Sequence, residues 1–191
     1  MNVLSVDVGY SGTKVVSGDE IKIDKVFEIN SVVAQVPRND LVSDDRLVSY
    51  DGNTYYVGSD ALAVQTESII EITDYSKLEY FAPLFVSKAI QESGMSPDVL
   101  VLGLSIAQIS NSGYYKDKIE NFLKAAGLNP KIFVVPQGAI AKIAIDYYGD
   151  HFPEKNKEFN SNATYLIGDL GFNTLDVGHV VNGKISSNLV R

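Results

Sequence analysis

The chain contains no cysteine, so a disulfide framework and a thiolate metal site are both excluded. That absence fits a reducing cytoplasm, which is the expected location. Histidine is scarce. His151 and His179 have no partners at ligand spacing and read as surface or hairpin residues rather than metal ligands. No apolar run approaches the ~18–20 residues of a membrane span. The opening "MNVLSVDVGY" lacks the basic flank and long apolar stretch of a signal peptide. Positive charge is also in deficit: 16 Lys and Arg stand against 24 Asp and Glu, for a net charge of −8. An acidic surface repels phosphodiester backbones, so direct nucleic-acid binding over a broad face is not expected. A nucleotide held by a few local donors remains open, and neither nucleic acid nor membrane is an expected direct partner.

The 191 residues, 45% of them hydrophobic, fit one large domain or one and a half ordinary ones. A chain of this size buries roughly 70% of the surface it exposes when unfolded. "NVLSVDV" (2–8), "TKVVSG" (13–18) and "IKIDKVFEI" (21–29) read as three strands of an antiparallel meander, with Gly18-Asp19-Glu20 as a turn. Loop signals fill 37–60, where "LVSYDGNTYYVG" (47–58) is a hairpin around Asp51-Gly52-Asn53. Helical periodicity marks 77–94, with Pro83 starting or kinking the helix and Gly94 as C-cap. "DVLVLGLS" (98–105) has the unbroken apolar character of a central parallel strand. An amphipathic helix at 114–127 stops at Gly127. A strand at 131–137 and a helix at 138–149 follow, then a polar stretch at 150–162 that reads as a linker or exposed loop. The last segment, 163–191, reads as three strands with an Asn182-Gly183 turn. Helices interleaved with apolar strands define an α/β fold with a mixed sheet.

The third strand from the end repeats the first. "LSVDVGYSGTKVV" (4–16) lies over "LIGDLGFNTLDVG" (166–178) at a constant offset of 162. Asp7-Val8-Gly9-Tyr10-Ser11 matches Asp169-Leu170-Gly171-Phe172-Asn173. A glycine after a strand leaves room for a ligand near the backbone. Successive N–H groups in a tight turn form a nest for an anion. Ser11, Thr13 and Thr174 add hydroxyls, and Lys14 adds a point charge suited to phosphate. An aspartate at the strand end repels phosphate unless a cation lies between, most naturally Mg²⁺ with its waters retained. Taken singly, each turn is also what an ordinary hairpin gives, with Gly at φ > 0 and Asp capping. Two copies, each opening a three-strand meander, point to phosphate binding.

"DVGYSGTK" resembles the first phosphate-binding loop of the actin, heat-shock-70 and sugar-kinase superfamily, and "IGDLGFNTLDV" resembles the second. Within it the chain is most similar to prokaryotic actins of the plasmid-segregating ParM kind and to archaeal actin-like proteins. "VVPQGAIA" (134–141) looks like the connection that presents the residue positioning the attacking water. The resemblance implies an actin-like ATPase domain of ribonuclease H-like fold, with a mixed five-stranded sheet and flanking helices. It implies ATP or GTP with Mg²⁺ as cofactors. Asp7 and Asp169 would hold Mg²⁺ through water. Gly9, Tyr10, Ser11 and Gly12 would offer amides to the β-phosphate, near Thr13 and Lys14. Gly171, Phe172 and Asn173 would offer amides to the γ-phosphate, with the Thr174 hydroxyl. Gln137 would orient the hydrolytic water, a positional role because a neutral amide is a weak base. Phe172 departs from the small residue usual at its position, and Tyr10 from the common serine.

The superfamily's adenosine-binding glycine motif has no match in 1–191. The chain therefore reads as domain I (1–162, with a small hairpin subdomain around 37–60) plus the first three strands of domain II (163–191). On its own it is expected to bind nucleotide poorly and to hydrolyse it little. The implied function is a cytoskeletal ATPase that assembles into dynamic filaments and reaches DNA, as in plasmid segregation, through an adaptor protein. The 47–58 hairpin is a candidate contact between subunits. Three other readings compete. One is a small-molecule kinase on the same loops, against which Gln137 argues. Another is a two-metal nuclease using Asp7, Asp169 and Asp176, which needs metal ions ~3.5–4 Å apart, whereas strand alternation sends Asp169 and Asp176 to different places. The third is a non-hydrolysing interaction module.

Overall fold

A computed structural model of the chain describes residues 1–37, 44–64, 69–137, 140, 142–144, 146–147, 164–171 and 175–185, with Asp176 and Ile185 described by their backbone only. The expected meander is present. In β1 (Val3–Val8) Leu4, Val6 and Val8 are buried while Val3, Ser5 and Asp7 are half-buried, the two-residue period of a strand with one core face. It pairs antiparallel with β2 (Gly12–Gly18), which pairs with β3 (Ile23–Asn30). The turn between β2 and β3 is fixed by Asp19, whose Oδ1 accepts the N–H groups of Ile21 and Lys22 at 2.8 and 2.9 Å. These two bonds hold the Asp19 carboxyl below its usual range.

The sequence assigns no element to the residues just after β3. There the chain forms β4 (Val32–Val36), which enters a four-stranded sheet in the order β5-β6-β4-β7, with β5 at Val48–Tyr50, β6 at Asn53–Val57 and β7 at Ile69–Glu71. The predicted hairpin is thus half of a sheet. Its turn takes positive φ at Asp51 and Gly52, as the Asp-Gly pair requires. The short helix α1 (Ser59–Ala63) follows β6.

Helix α2 (Tyr75–Ser93) begins two residues before the predicted start, because Asp74 caps it by accepting the Lys77 N–H at 3.0 Å. Pro83 lies inside the helix rather than at its start. Gly94 ends it at φ 74°, the left-handed conformation of a C-cap glycine. The buried face of α2 includes Leu78, Phe81, Leu84, Phe85, Val86 and Ala89, and α2 packs on β1, β2 and β3. Burying each of these leucine, phenylalanine and valine side chains contributes about 1.5–3 kcal/mol.

Strand β8 (Val99–Leu104) leads into a 3-10 helix (Ile106–Asn111), in a stretch to which the sequence assigns no element, and then α3 (Ser112–Ala125) and β9 (Lys131–Pro136). Tyr115, Ile119 and Leu123 are the buried stripe of α3, four residues apart as a helix face demands. The main sheet is mixed and five-stranded, in the order β3-β2-β1-β8-β9. Residues 140, 142–144, 146 and 147 are helical, within the predicted 138–149 helix, and Gln137, the last residue of the predicted 131–137 strand, is helical as well; the other residues of that helix, like the 150–162 stretch, lie outside the described ones. Strands β10 (Tyr165–Leu170), β11 (Leu175–Val181) and β12 (Lys184–Ile185) form a three-stranded sheet. The chain divides into two compact units, one of Met1–Leu102 with Gly113–Phe133, the other of Gly103–Ser112 with Val134–Arg191.

Candidate functional site

The first unit carries the first turn. Its hairpin register pairs Val8 with Thr13 and Asp7 with Lys14. The Gly9 N–H donates to the Gly12 carbonyl at 3.2 Å and closes the turn. A side chain at position 9 would put its Cβ 2.7 Å from that carbonyl oxygen, so any residue but glycine would force the turn open. Two of the sequence expectations need correction. The Gly9 amide is committed to Gly12 and is not offered outward. Thr13 is fully buried, and its Oγ1 lies 3.1 Å from Ser31 Oγ, so its hydroxyl braces the turn instead of serving as a ligand donor. Ser31 also donates its N–H to the Ser11 carbonyl at 3.1 Å. It is a residue the sequence reading passes over, and its own burial shows how firmly the end of β3 grips the turn.

Charge is laid across this end of the sheet in a row. The registers place Asp7 opposite Lys14, and Lys14 opposite Glu28 of β3. Directly opposed residues share a face of the sheet, so one face reads negative, positive, negative. Asp7 is half-buried, whereas Lys14 and Glu28 are exposed. The neighbourhood of Asp7 is also felt by Tyr115. Burial first, then Tyr75, then Asp7, push the Tyr115 hydroxyl far above its ordinary value, so it stays neutral and confers no charge on the site. Glu28 bears on the turn itself: a Cβ built on Gly12 would lie 1.8 Å from Glu28 Oε1. The carboxylate therefore occupies the space that the missing side chain of Gly12 leaves open.

The second unit carries the second turn. Its register pairs Leu170 with Leu175, Asp169 with Asp176 and Gly168 with Val177. Shifted by the sequence offset of 162, these are the pairings Val8–Thr13, Asp7–Lys14 and Val6–Val15 of the first hairpin. The likeness seen in the sequence is thus a likeness of backbone pairing. Asp169 and Gly171 are exposed, while Phe172, Asn173 and Thr174 lie outside the described residues. The register also corrects the alternation argument used against a nuclease. Asp169 and Asp176 are cross-strand partners, and the strand period does not part them. Gln137 is half-buried and is the first helical residue after β9, at the strand-to-helix connection where it was expected. Among the described residues no group of three or more His, Cys, Asp or Glu side chains is gathered as direct metal ligands. No described helix is long and apolar enough to cross a membrane.

A groove of about 650 Å³ opens between β5 and helices α2 and α3, lined by Tyr50, Asp51, Tyr80, Tyr114, Lys118 and Phe122 among others. Tyr50 meets Tyr80 and Phe122 edge-on at 5.3 and 5.4 Å. The Tyr80 hydroxyl donates to Asp51 Oδ2 at 2.7 Å, and Lys118 Nζ lies 5.0 Å from the Tyr80 ring centre.

A mixed five-stranded sheet with flanking helices and a small inserted sheet, opened by a glycine turn whose twin recurs downstream, defines an actin-like domain. Residues 5–139 match the family described as "Actin like proteins N terminal domain". The match takes in most of the chain, and the protein belongs to that family. Solved structures agree on the fold. AlfA from the Bacillus subtilis plasmid pLS32, determined as a filament, aligns with 97% of this chain and 69% of its own, at 18% identity and TM-score 0.61. MreB 5 of Spiroplasma citri, bound to AMPPNP, aligns with 96% of this chain and 50% of its own, at 15% identity and TM-score 0.56. Bacillus thuringiensis ParM in apo form aligns with 97% and 58%, at 17% identity and TM-score 0.53. No curated protein matches the sequence.

Proposed function

We propose that this chain is the phosphate-gripping part of an actin-like cytoskeletal ATPase that binds ATP or GTP with Mg²⁺ and assembles into filaments. The carrying observation is the shared register of two hairpins 162 residues apart, each with an aspartate one residue from the end of its first strand and a glycine directly after it. In this reading both turns serve the phosphates of one nucleotide. Residues 1–162, with the small β-sheet insert, form the first domain, and 163–191 open the second.

The donor set fits a triphosphate with its cation. At the first turn the amides of Tyr10, Ser11 and Gly12 and the Lys14 ammonium receive the β-phosphate. At the second, the backbone of Gly171, Phe172 and Asn173 with the Thr174 hydroxyl receives the γ-phosphate. Asp7 and Asp169 are the residues that would hold Mg²⁺ through its waters; bound Mg²⁺ supplies charge neutralisation to the phosphates. Gln137 orients the hydrolytic water. The two corrections above narrow the first turn's donors without removing them. Filament assembly is supported by the AlfA neighbour, which was solved as a filament, and nucleotide binding by the MreB 5 neighbour, which carries AMPPNP. The tyrosine-lined groove beside the β5–β6 hairpin gives the proposed subunit contact its aromatic surface. A DNA-binding adaptor would account for segregation by an acidic protein, and the cytoplasm is the proposed location.

The test uses the complete protein that contains this chain. It should scatter light or pellet with ATP and Mg²⁺ and release phosphate without phosphorylating sugars. Lys14→Ala should weaken nucleotide binding by about tenfold, the loss of one charge-assisted contact. Sugar phosphorylation without assembly would replace this reading with the small-molecule kinase. Residues 1–191 alone should still bind ATP–Mg²⁺, but only weakly, in the range of about 0.1–1 mM, since nucleobase contacts come largely from elsewhere.

A further inference from the structure

We infer that Glu28 is a specificity-determining residue of the first turn, which makes it favour a phosphate chain already neutralised by a divalent cation over the free anion. The inference rests on the nucleotide reading above.

Three observations carry it. The strand registers put Glu28 directly opposite Lys14, and Lys14 directly opposite Asp7. Glu28 does not simply stand beside Lys14. Its carboxylate reaches back along the sheet to the turn, where a Cβ on Gly12 would meet Oε1 at 1.8 Å, Cδ at 2.7 Å and Cγ at 3.0 Å. The strand that carries it is fastened to the same turn through Ser31, by the N–H to Ser11 O at 3.1 Å and the buried contact with Thr13 Oγ1 at 3.1 Å. The backbone that carries Glu28 is therefore fixed relative to the turn.

The consequence is electrostatic. An anion nest has value because its N–H groups and a nearby Lys attract negative charge. Here a carboxylate rests on one of the nest's own residues, and with Asp7 it brackets the one ammonium of the row. The three groups sum to one negative charge. A metal-free triphosphate meets net repulsion at the mouth of the turn. A triphosphate carrying Mg²⁺ presents two fewer negative charges, and its cation interacts favourably with both carboxylates. Glu28 thus weakens the first ligand more than the second. Glu28 is exposed, so solvent reduces the effect to a fewfold change.

The experiment measures ATP binding to residues 1–191 by amide chemical-shift titration at constant ionic strength, once with excess EDTA and once with excess Mg²⁺. It compares the natural chain with Glu28→Gln, which keeps size and removes charge, and Glu28→Asp, which keeps charge and withdraws it from Gly12. Glu28→Gln should raise affinity for metal-free ATP about three- to tenfold and leave ATP–Mg²⁺ within about twofold of the natural chain. Glu28→Asp should fall between the two. Equal changes for the two ligand forms, or no change in either, overturn the inference while leaving the nucleotide reading intact. Absence of binding by all three proteins in both forms overturns the nucleotide reading and this inference with it.

Discussion

Gly9 and Gly12 bound the same turn, yet substitution should affect them very differently. Gly9 does not have positive φ, so alanine meets no dihedral penalty there. The obstacle is contact. The new Cβ would stand 2.7 Å from the Gly12 carbonyl oxygen, and that atom is backbone with nowhere to swing. Relief requires the turn to open, which loses the 3.2 Å bond from the Gly9 N–H. Overpacking costs about 1–3 kcal/mol and the lost bond about 1 kcal/mol, together about 2–4 kcal/mol. For a chain of this length, each kcal/mol moves Tm by about 2–4 °C, so Gly9→Ala should lower Tm by roughly 5–15 °C. At Gly12 the nearest atom is closer, 1.8 Å, but it is Oε1 of Glu28, the free end of a flexible side chain. One rotation clears it, and Gly12→Ala should cost under about 1 kcal/mol. Thermal melts of residues 1–191 followed by far-ultraviolet circular dichroism compare the two. Equal shifts, or a larger shift for Gly12→Ala, would refute the reasoning, since then distance and not the nature of the neighbouring atom decides.

Three further outcomes follow from the packing. Lys88 is almost fully buried and its Nζ lies 2.6 Å from Asp60 Oδ2, with Glu92 Oε1 at 3.5 Å. Asp60→Ala should therefore destabilise the chain by about 2–3 kcal/mol in urea melts, somewhat below a wholly buried pair because Glu92 remains and Asp60 is partly exposed. The double variant with Lys88→Met should recover most of that loss, and no recovery would mean the charge was not the cause. Burial, and next the charge of Asp51, push the Tyr50 hydroxyl up to about 12. The folded state thus holds that proton more tightly than the unfolded chain does. Its stabilising contribution is complete below the ordinary tyrosine value near 10 and is lost as pH climbs from there to about 12. Tyr50→Phe should flatten stability over that window, and an unchanged alkaline slope would show that Tyr50 is not its source. Finally, Asp74→Ala removes the acceptor of the Lys77 N–H at the start of α2 and should cost about 1 kcal/mol, read as a lower urea midpoint; Asp74→Asn, which can still cap, should cost less.

The order of elements was legible because each rests on a local signal. The meander follows from apolar alternation and the Gly18-Asp19-Glu20 turn, and α2 and α3 from helical spacing ended by Gly94 and Gly127. The missed elements lack such signals. Strand β4 follows β3 with only Ser31 between, so no turn residue announces a change of sheet. Strand β7 is three residues long, and pairing alone makes it a strand. The start of α2 was misplaced because the apolar stripe begins at Leu78, three residues inside a helix that Asp74 caps.

The geometry of the candidate site was legible to the same depth and failed at the same point. A repeated Asp-x-Gly gave both turns, and the shared register shows that the repeat is one of backbone pairing. What a one-dimensional reading could not supply was the direction of each polar group. Thr13 and Lys14 are adjacent, so by the strand period they belong to opposite faces; one hydroxyl is buried against Ser31 while the neighbouring ammonium is exposed. Alternation counted along a single chain likewise parted Asp169 from Asp176, whereas folding the strand back at the turn makes them partners. Glu28 is the furthest step of this kind. Two hairpin registers must be composed to bring it opposite Lys14, and then the space left by Gly12 decides where its carboxylate goes. Composition of registers is computable from the turns once their lengths are known, so Glu28 was within reach of the sequence in principle. The bend of its side chain toward Gly12 was not, because that depends on an absence, the missing Cβ, two residues away on the neighbouring strand.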